Sequence, residues 1–245
     1  MRTVIKNVGF DEVSKEEAGA KALALLREEG NHYIVTPNPE IVWLACKRED
    51  FASALNEADM VIPDGIGIIY AAKILGRPLP ERVPGIELAS FLLAEAAKTQ
   101  SSVFLLGAKP GVAERAAERL RTKYPGLRIV GTGDGYFKED APVVETINAK
   151  KPDLLLVCLG FPRQELWMHR HKAELSVKLM MGIGGSLDVF AGDVKRAPEV
   201  WCRLNLEWLY RLLCQPSRIG RMMKLPLFLL SVIWERVSHG KTYRI

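Results

Sequence analysis

Residues 153–160 read DLLLVCLG. Six apolar residues in a row leave no polar face, so a strand here must be covered on both sides, as in a parallel sheet between two helical layers. FPRQELWMHRHK (161–172) follows as a loop and a helix, and VKLMMGIGG (177–185) as the next strand. The same alternation runs towards the N-terminus. Strands are expected at residues 3–8, 32–36, 60–62, 102–106 and 127–130, with helices between most of them. Ser14 and Glu17 form a capping box before AGAKALALLREEG, and Asn38-Pro39 read as N-cap and first helical residue. The expected fold is α/β: a Rossmann-like, mostly parallel sheet with helices on both faces.

The chain has 245 residues, 48% hydrophobic and 26% charged, which suits one large domain with a real core. Cys46, Cys158, Cys202 and Cys214 form no CxxC pair. They read as reduced, buried thiols of a cytosolic protein rather than a zinc site or disulfide framework. MRTVIKNVGF has no long apolar run, so no secretory leader is expected. Charge is uneven. From Arg196 onward nine Lys/Arg face three Asp/Glu, a net +6, which leaves −1 for residues 1–195. The expected division is a domain at 1–195 and a basic helical appendage at 196–245.

The loops after the strands hold the unusual chemistry. In MVIPDGIG (60–67), Pro63 ends sheet pairing and Asp64 lies at the carboxyl end of a buried strand, where open α/β folds bind ligands. An ordinary turn or N-cap aspartate remains the alternative. Thr36 and Asn38 share that edge, with GAKPG (107–111), GTGDGYF (131–137), GFPRQE (160–165) and GGSLD (184–188). Gly107 and Gly111, and Gly182, Gly184 and Gly185, bracket turns whose N–H groups suit phosphate. Neither GxGxxG nor GxxxxGK[ST] occurs, so dinucleotide and P-loop readings are weak. Gln164 could hydrogen-bond a sugar or a diphosphate, while Glu165 could simply favour the helix dipole. Arg77 and Arg82 lie on a proline-rich loop; forked donors there suit a diphosphate held without metal. No DxD occurs, and His169 and His171, two apart, read as surface histidines. No metal site and no cofactor is expected.

In the tail, Trp201, Leu204, Trp208 and Leu212 recur at helical spacing, and Arg218, Arg221 and Lys224 at every third position. The apolar run 225–234 is too short to span a bilayer and fits an interfacial helix. A helix packed on the domain, or in an oligomer interface, remains open. Nucleic acid is not the expected partner, since no stacking platform interleaves the basic residues.

Together, TPNPE (36–40), PDGIG, RVPG (82–85), LLGAKPGV, GDGYF, PDLLLVCLGFPRQE, GIGGSLDVFAGDVKRAP and LEWLYRL resemble the WecG/TagA/CpsF glycosyltransferase family, in order and over nearly the whole chain. The resemblance implies transfer of N-acetylmannosamine or a related sugar from UDP to N-acetylglucosaminyl-diphospho-undecaprenol in teichoic acid-type synthesis. It implies inversion, no metal, and a peripheral location on the inner face of the cytoplasmic membrane. Asp64 then matches the base, and Thr36 and Gln164 the other active-site polar groups. Substrate-binding candidates are Asn38, Arg82, Gly107, Tyr136, Phe137, Gly184, Gly185 and Asp188, with Arg211, Arg218 and Arg221 from the tail. Arginines and helix N-termini would neutralise the departing diphosphate. The competing classes are a nucleotide-binding redox enzyme, which would want GxGxxG and an acid about 20 residues on, and a non-enzymatic membrane-associated module.

Overall fold

A computed structural model describes residues 1–214, 220 and 224–239. The chain opens with an antiparallel hairpin, β1 (Arg2–Ile5) and β2 (Val8–Asp11). The single strand expected at 3–8 is thus two, because Lys6 takes a left-handed backbone (φ 58°) and turns the chain back. There follow α1 (Lys15–Arg27), β3 (His32–Val35), α2 (Pro39–Ala45), α3 (Glu49–Asn56), β4 (Met60–Val61), α4 (Ile66–Ile74) and α5 (Gly85–Thr99). Next come β5 (Ser102–Gly107), α6 (Val112–Lys123), β6 (Arg128–Gly133), α7 (Ala141–Lys150), β7 (Leu154–Cys158), α8 (Arg163–His171), β8 (Leu179–Gly182) and α9 (Ser186–Phe190). Three helices complete the described chain: α10 (Glu199–Arg203), α11 (Glu207–Cys214) and α12 (Lys224–His239).

β3 to β8 form one parallel sheet in the order β4-β3-β8-β7-β5-β6. Alternate strand residues feed two apolar layers. Tyr33, Val35, Phe104, Leu106, Leu155, Val157 and Met180 pack towards α2, α3, α4, α7, α8 and α12. Ile34, Val103, Leu105, Leu154, Leu156, Leu179 and Met181 pack towards α1, α5, α6 and α9. This two-sided burial is what an apolar run such as 154–159 requires.

β6 runs further than the expected 127–130. Gly131, Thr132 and Gly133 pair with Phe104, Leu105 and Leu106, so the start of GTGDGYF is strand, not loop. A Cβ on Gly131 would lie 2.4 Å from the Phe104 ring, so glycine lets β6 pass that side chain.

The capping box at Ser14 and the Asn38 cap both form; Asn38 accepts from the N–H of Glu40 and Ile41. Of the four cysteines, all free, only Cys158 is buried; Cys46 and Cys214 are exposed and Cys202 is intermediate. The surface reading of the two histidines fails for His171 and holds in part for His169, whose side chain is 34% exposed. His171 is buried, with its ring between Asp140 and Glu174 and 4.9 Å from Trp167. His169 is half-covered and meets the Tyr33 hydroxyl at 3.3 Å. His171 lies where α8 packs inward, a tertiary fact that residue spacing does not carry.

α12 packs on α2 and α4. Phe228 and Val232 are fully buried in the core beneath them. Lys6 bonds the Ser231 carbonyl and pairs with Glu235 at 2.8 Å, and Lys224 pairs with Glu40 at 2.8 Å. Its other face is open: Leu227, Leu230, Trp234 and Val237 are all more than half exposed. Among the described residues no helix is long and apolar enough to cross a membrane.

Candidate active site

The carboxyl ends of all six parallel strands open into one cavity of about 1020 Å³. That exceeds the usual range for small-molecule sites and accommodates a nucleotide-sized ligand. Its walls include Thr36 and Asn38 after β3, Asp64 after β4, Ala108 and Lys109 after β5, and Tyr136 and Phe137 after β6. Arg163, Gln164 and Glu165 follow β7, and Gly184, Gly185 and Asp188 follow β8. The chain leaves β5 towards β6 and β7 towards β8, in opposite directions, so the strand order reverses at the β5/β7 neighbours, a place where open α/β folds bind ligands.

Asp64 sits where β4 has ended. Its backbone N–H donates to Pro37 O at 3.3 Å, and its Oδ2 accepts from the Gly85 N–H at 3.4 Å. The adjoining loop docks here too, with the Val83 N–H on Pro63 O at 3.0 Å. This brings Arg82 to the cavity, where Nη1 lies 3.6 Å from Glu207 Oε2 of α11. Gly65, at φ 103°, makes the turn into α4. A Cβ on Gly67 would collide with Pro39 and Leu225, so α4 starts hard against α2 and α12.

Thr36 stands beside this turn, 3.0 Å from where a Gly85 Cβ would lie, and its Oγ1 donates to Gly182 O at 3.4 Å. Gln164, 2% exposed, accepts from the Gly184 N–H at 2.9 Å and donates to Glu165 Oε1 at 3.0 Å. The Gly184 N–H is therefore spent on Gln164 rather than held free for phosphate. Glu165 does stand in the first turn of α8, but buried: it is 1% exposed, and burial pushes its carboxyl up to about 7. Burial likewise pushes the Cys158 thiol up to about 12, so this cavity-lining sulfur is not a thiolate nucleophile.

Tyr136 stands 65% exposed at the rim. Its loop is fastened by Arg163, which donates to Gly135 O (2.6 Å) and Phe137 O (3.0 Å) and lies 4.2 Å over the Phe137 ring. Asp188 lines the wall, and its carbonyl accepts from Asp193 and Val194. Gly107 is not part of the wall. A Cβ there would lie 2.3 Å from Cys158 O, so this glycine lets β5 and β7 close together. Arg211 lies on α11, but its side chain, with Arg218 and Arg221, falls outside the described residues.

Sequence reasoning did not single out Arg163, Lys109, Lys195, Glu207 or Tyr210, all of which line the cavity. Arg163 lies inside GFPRQE and Glu207 inside LEWLYRL, so the signal was present in both. Lys224 and Leu225 of α12 also reach the wall. Among the described residues no cluster of three or more His, Cys, Asp or Glu is placed to hold a metal ion.

Fold and site together define an α/β protein with a nucleotide-sized cavity across the carboxyl edge of its sheet, lined there by a carboxylate and an arginine. The chain belongs to the WecG/TagA/CpsF glycosyl transferase family, whose pattern matches residues 3–242. It is 40% identical over 211 residues to the N-acetylglucosaminyldiphosphoundecaprenol N-acetyl-beta-D-mannosaminyltransferase of Bacillus spizizenii, covering 86% of this chain and 82% of that one. It is 42% identical over 202 residues to the enzyme of the same name from Staphylococcus aureus, covering 82% and 80%.

Proposed function

We propose that this glycosyltransferase moves N-acetylmannosamine from UDP to N-acetylglucosaminyl-diphospho-undecaprenol, the first sugars of a teichoic acid-type linkage. The observation that carries the reading is the placement of Asp64 and Arg82 on one cavity wall, in a chain that shares 40% identity with transferases so named. In the proposed step Asp64 accepts the proton of the acceptor hydroxyl. That oxygen bonds to the anomeric carbon from the face opposite the leaving group. The bond from the anomeric carbon to the diphosphate oxygen breaks, its electron pair departs with UDP, and the configuration inverts. Arg82, Lys109 and Arg163 supply positive potential where the diphosphate charge grows, with no divalent cation in the step.

The acceptor's polyprenyl chain requires a lipid surface beside the cavity. α12 supports this, since one face enters the core while Leu227, Leu230, Trp234 and Val237 project outward. That stripe, with basic neighbours, suits peripheral binding to an anionic leaflet, where each cation contributes roughly 1 kcal/mol. In this reading the enzyme works on the inner membrane face, and tail arginines join the site on docking.

The decisive assay incubates the protein with a panel of UDP-sugars and the lipid-linked acceptor, with and without EDTA. UDP release with UDP-N-acetylmannosamine, unaffected by chelation, is expected. Release with another UDP-sugar alone would overturn the donor, and EDTA-sensitive release the metal-free step. Flotation with anionic vesicles tests the lipid surface. Protein that stays unbound and sediments as a dimer would assign the apolar stripe to self-association.

A further inference from the structure

We propose that Glu165 is a positioning residue: its buried carboxyl holds the Gln164 amide in the one orientation that ties it to the Gly184 N–H and fixes the 182–184 wall of the cavity. For its kinetic arm this rests on the glycosyltransferase reading above.

The geometry is a short relay. Glu165 Oε1 accepts from Gln164 Nε2 at 3.0 Å, and Gln164 Oε1 accepts from the Gly184 N–H at 2.9 Å. An amide turned by 180° would set N–H against N–H at Gly184, so that end decides the orientation, and Glu165 holds the other end by accepting from Nε2. The wall they fix has no slack. A Cβ on Gly182 would lie 2.4 Å from Gln164 Nε2, and the Gly182 carbonyl takes the Thr36 hydroxyl. Gly184 and Gly185 carry that wall into the cavity.

Glu165 is costly where it stands. It is 1% exposed, and its second oxygen, Oε2, is buried with no hydrogen-bond partner among the described residues. A leucine or methionine would fill the same space without that penalty. An acceptor at this point holds Gln164, which an apolar side chain of the same size does not. Burial favours the protonated acid, whose carbonyl oxygen still accepts from Nε2. Glutamine reproduces that neutral form, whereas methionine keeps the volume and removes the acceptor.

The test compares Glu165→Gln and Glu165→Met in the full chain, alone and with Gln164→Ala. One readout needs no substrate: exchange of the Gly184 amide hydrogen, followed by NMR. Glu165→Met should speed it about tenfold or more, because the lock opens locally. It should also lower kcat about 10- to 100-fold, with KM for the UDP-sugar moved less than about threefold. Glu165→Gln should leave both readouts within about threefold of the parent. In the Gln164→Ala background, Glu165→Met should cost nothing further, since its target is gone. Should the methionine variant not fold, Glu165→Asp, which withdraws the acceptor by one methylene, carries the same expectations. Unchanged Gly184 exchange in the acceptor-less variant, or its full kinetic effect persisting without Gln164, overturns the proposal. If the parent transfers no sugar at all, the glycosyltransferase reading fails while the exchange arm still decides this one.

Discussion

The guanidinium of Arg82 and the carboxylate of Glu207 face each other across 3.6 Å at the cavity wall, with side chains only 12% and 10% exposed. They come from a loop beside β4 and from α11, so the pair joins the sheet edge to the C-terminal helices. An internal acid thus stands against the cation that the proposed reaction sets beside the diphosphate. Glu207→Gln should therefore tighten UDP binding. Removing one unfavourable charge near a dianion is worth about 1–2 kcal/mol, or roughly 5- to 30-fold in Kd by calorimetry. Weaker binding in that variant would instead mean that Glu207 helps to hold the nucleotide.

Asp64→Asn keeps the size of the side chain and removes its basicity. Transfer should fall by about 10² to 10⁴-fold, with UDP binding retained or tighter. Steady-state kinetics with calorimetry separates the two. Near-normal turnover in a folded variant would dismiss Asp64 as the base.

Glu165 gives stability a pH dependence of definite sign. Its carboxyl is raised from 4.5 to about 7 in the folded chain, so between these values the folded state holds a proton that the unfolded state has lost. Stability from this group is intact below about 4.5, falls as pH rises to about 7, and is level beyond, a total of about 3 kcal/mol. Asp59, Glu87 and Asp153 act oppositely: their carboxyls are held low by Lys172, by Lys15 and Arg196, and by Lys178 and Ser102, against the desolvation each suffers. The difference between parent and Glu165→Gln isolates the one group. Urea midpoints at pH 5 and pH 8 should show the parent losing stability relative to the variant; parallel curves would refute the raised value.

The two faces of α12 should respond differently. Phe228→Ala should cost about 3–5 kcal/mol of folding stability, because a fully buried ring is removed. Leu230→Glu with Trp234→Glu should leave the thermal midpoint nearly unchanged, since both side chains are exposed, and should abolish flotation with anionic vesicles. Vesicle binding that survives the double change would detach this helix from the lipid surface.

The parallel sheet was legible because its strands, Leu154–Cys158 above all, are apolar on both faces and alternate with helical stretches. Asp64, Thr36, Asn38 and Gln164 were legible as one edge because each follows a strand, and topology gathers strand ends. The hairpin at Lys6 was not, because its turn uses a lysine in a left-handed conformation rather than a glycine. Nor was the burial of His171, which depends on Asp140 from a distant loop. Gly107 reads as a phosphate turn in sequence, yet its missing side chain serves the passage of Cys158 O. The Arg82–Glu207 pairing depends on how the C-terminal helices fold back, which no local pattern records.

That folding back orders events in time. Phe228 and Val232 complete a core whose other members lie in the first three-quarters of the chain, and Leu225 closes against Gly67. Until residues 224–239 have been made, a nascent chain keeps an open apolar furrow between α2 and α4. Only then can the interior seal and Lys224 reach the cavity.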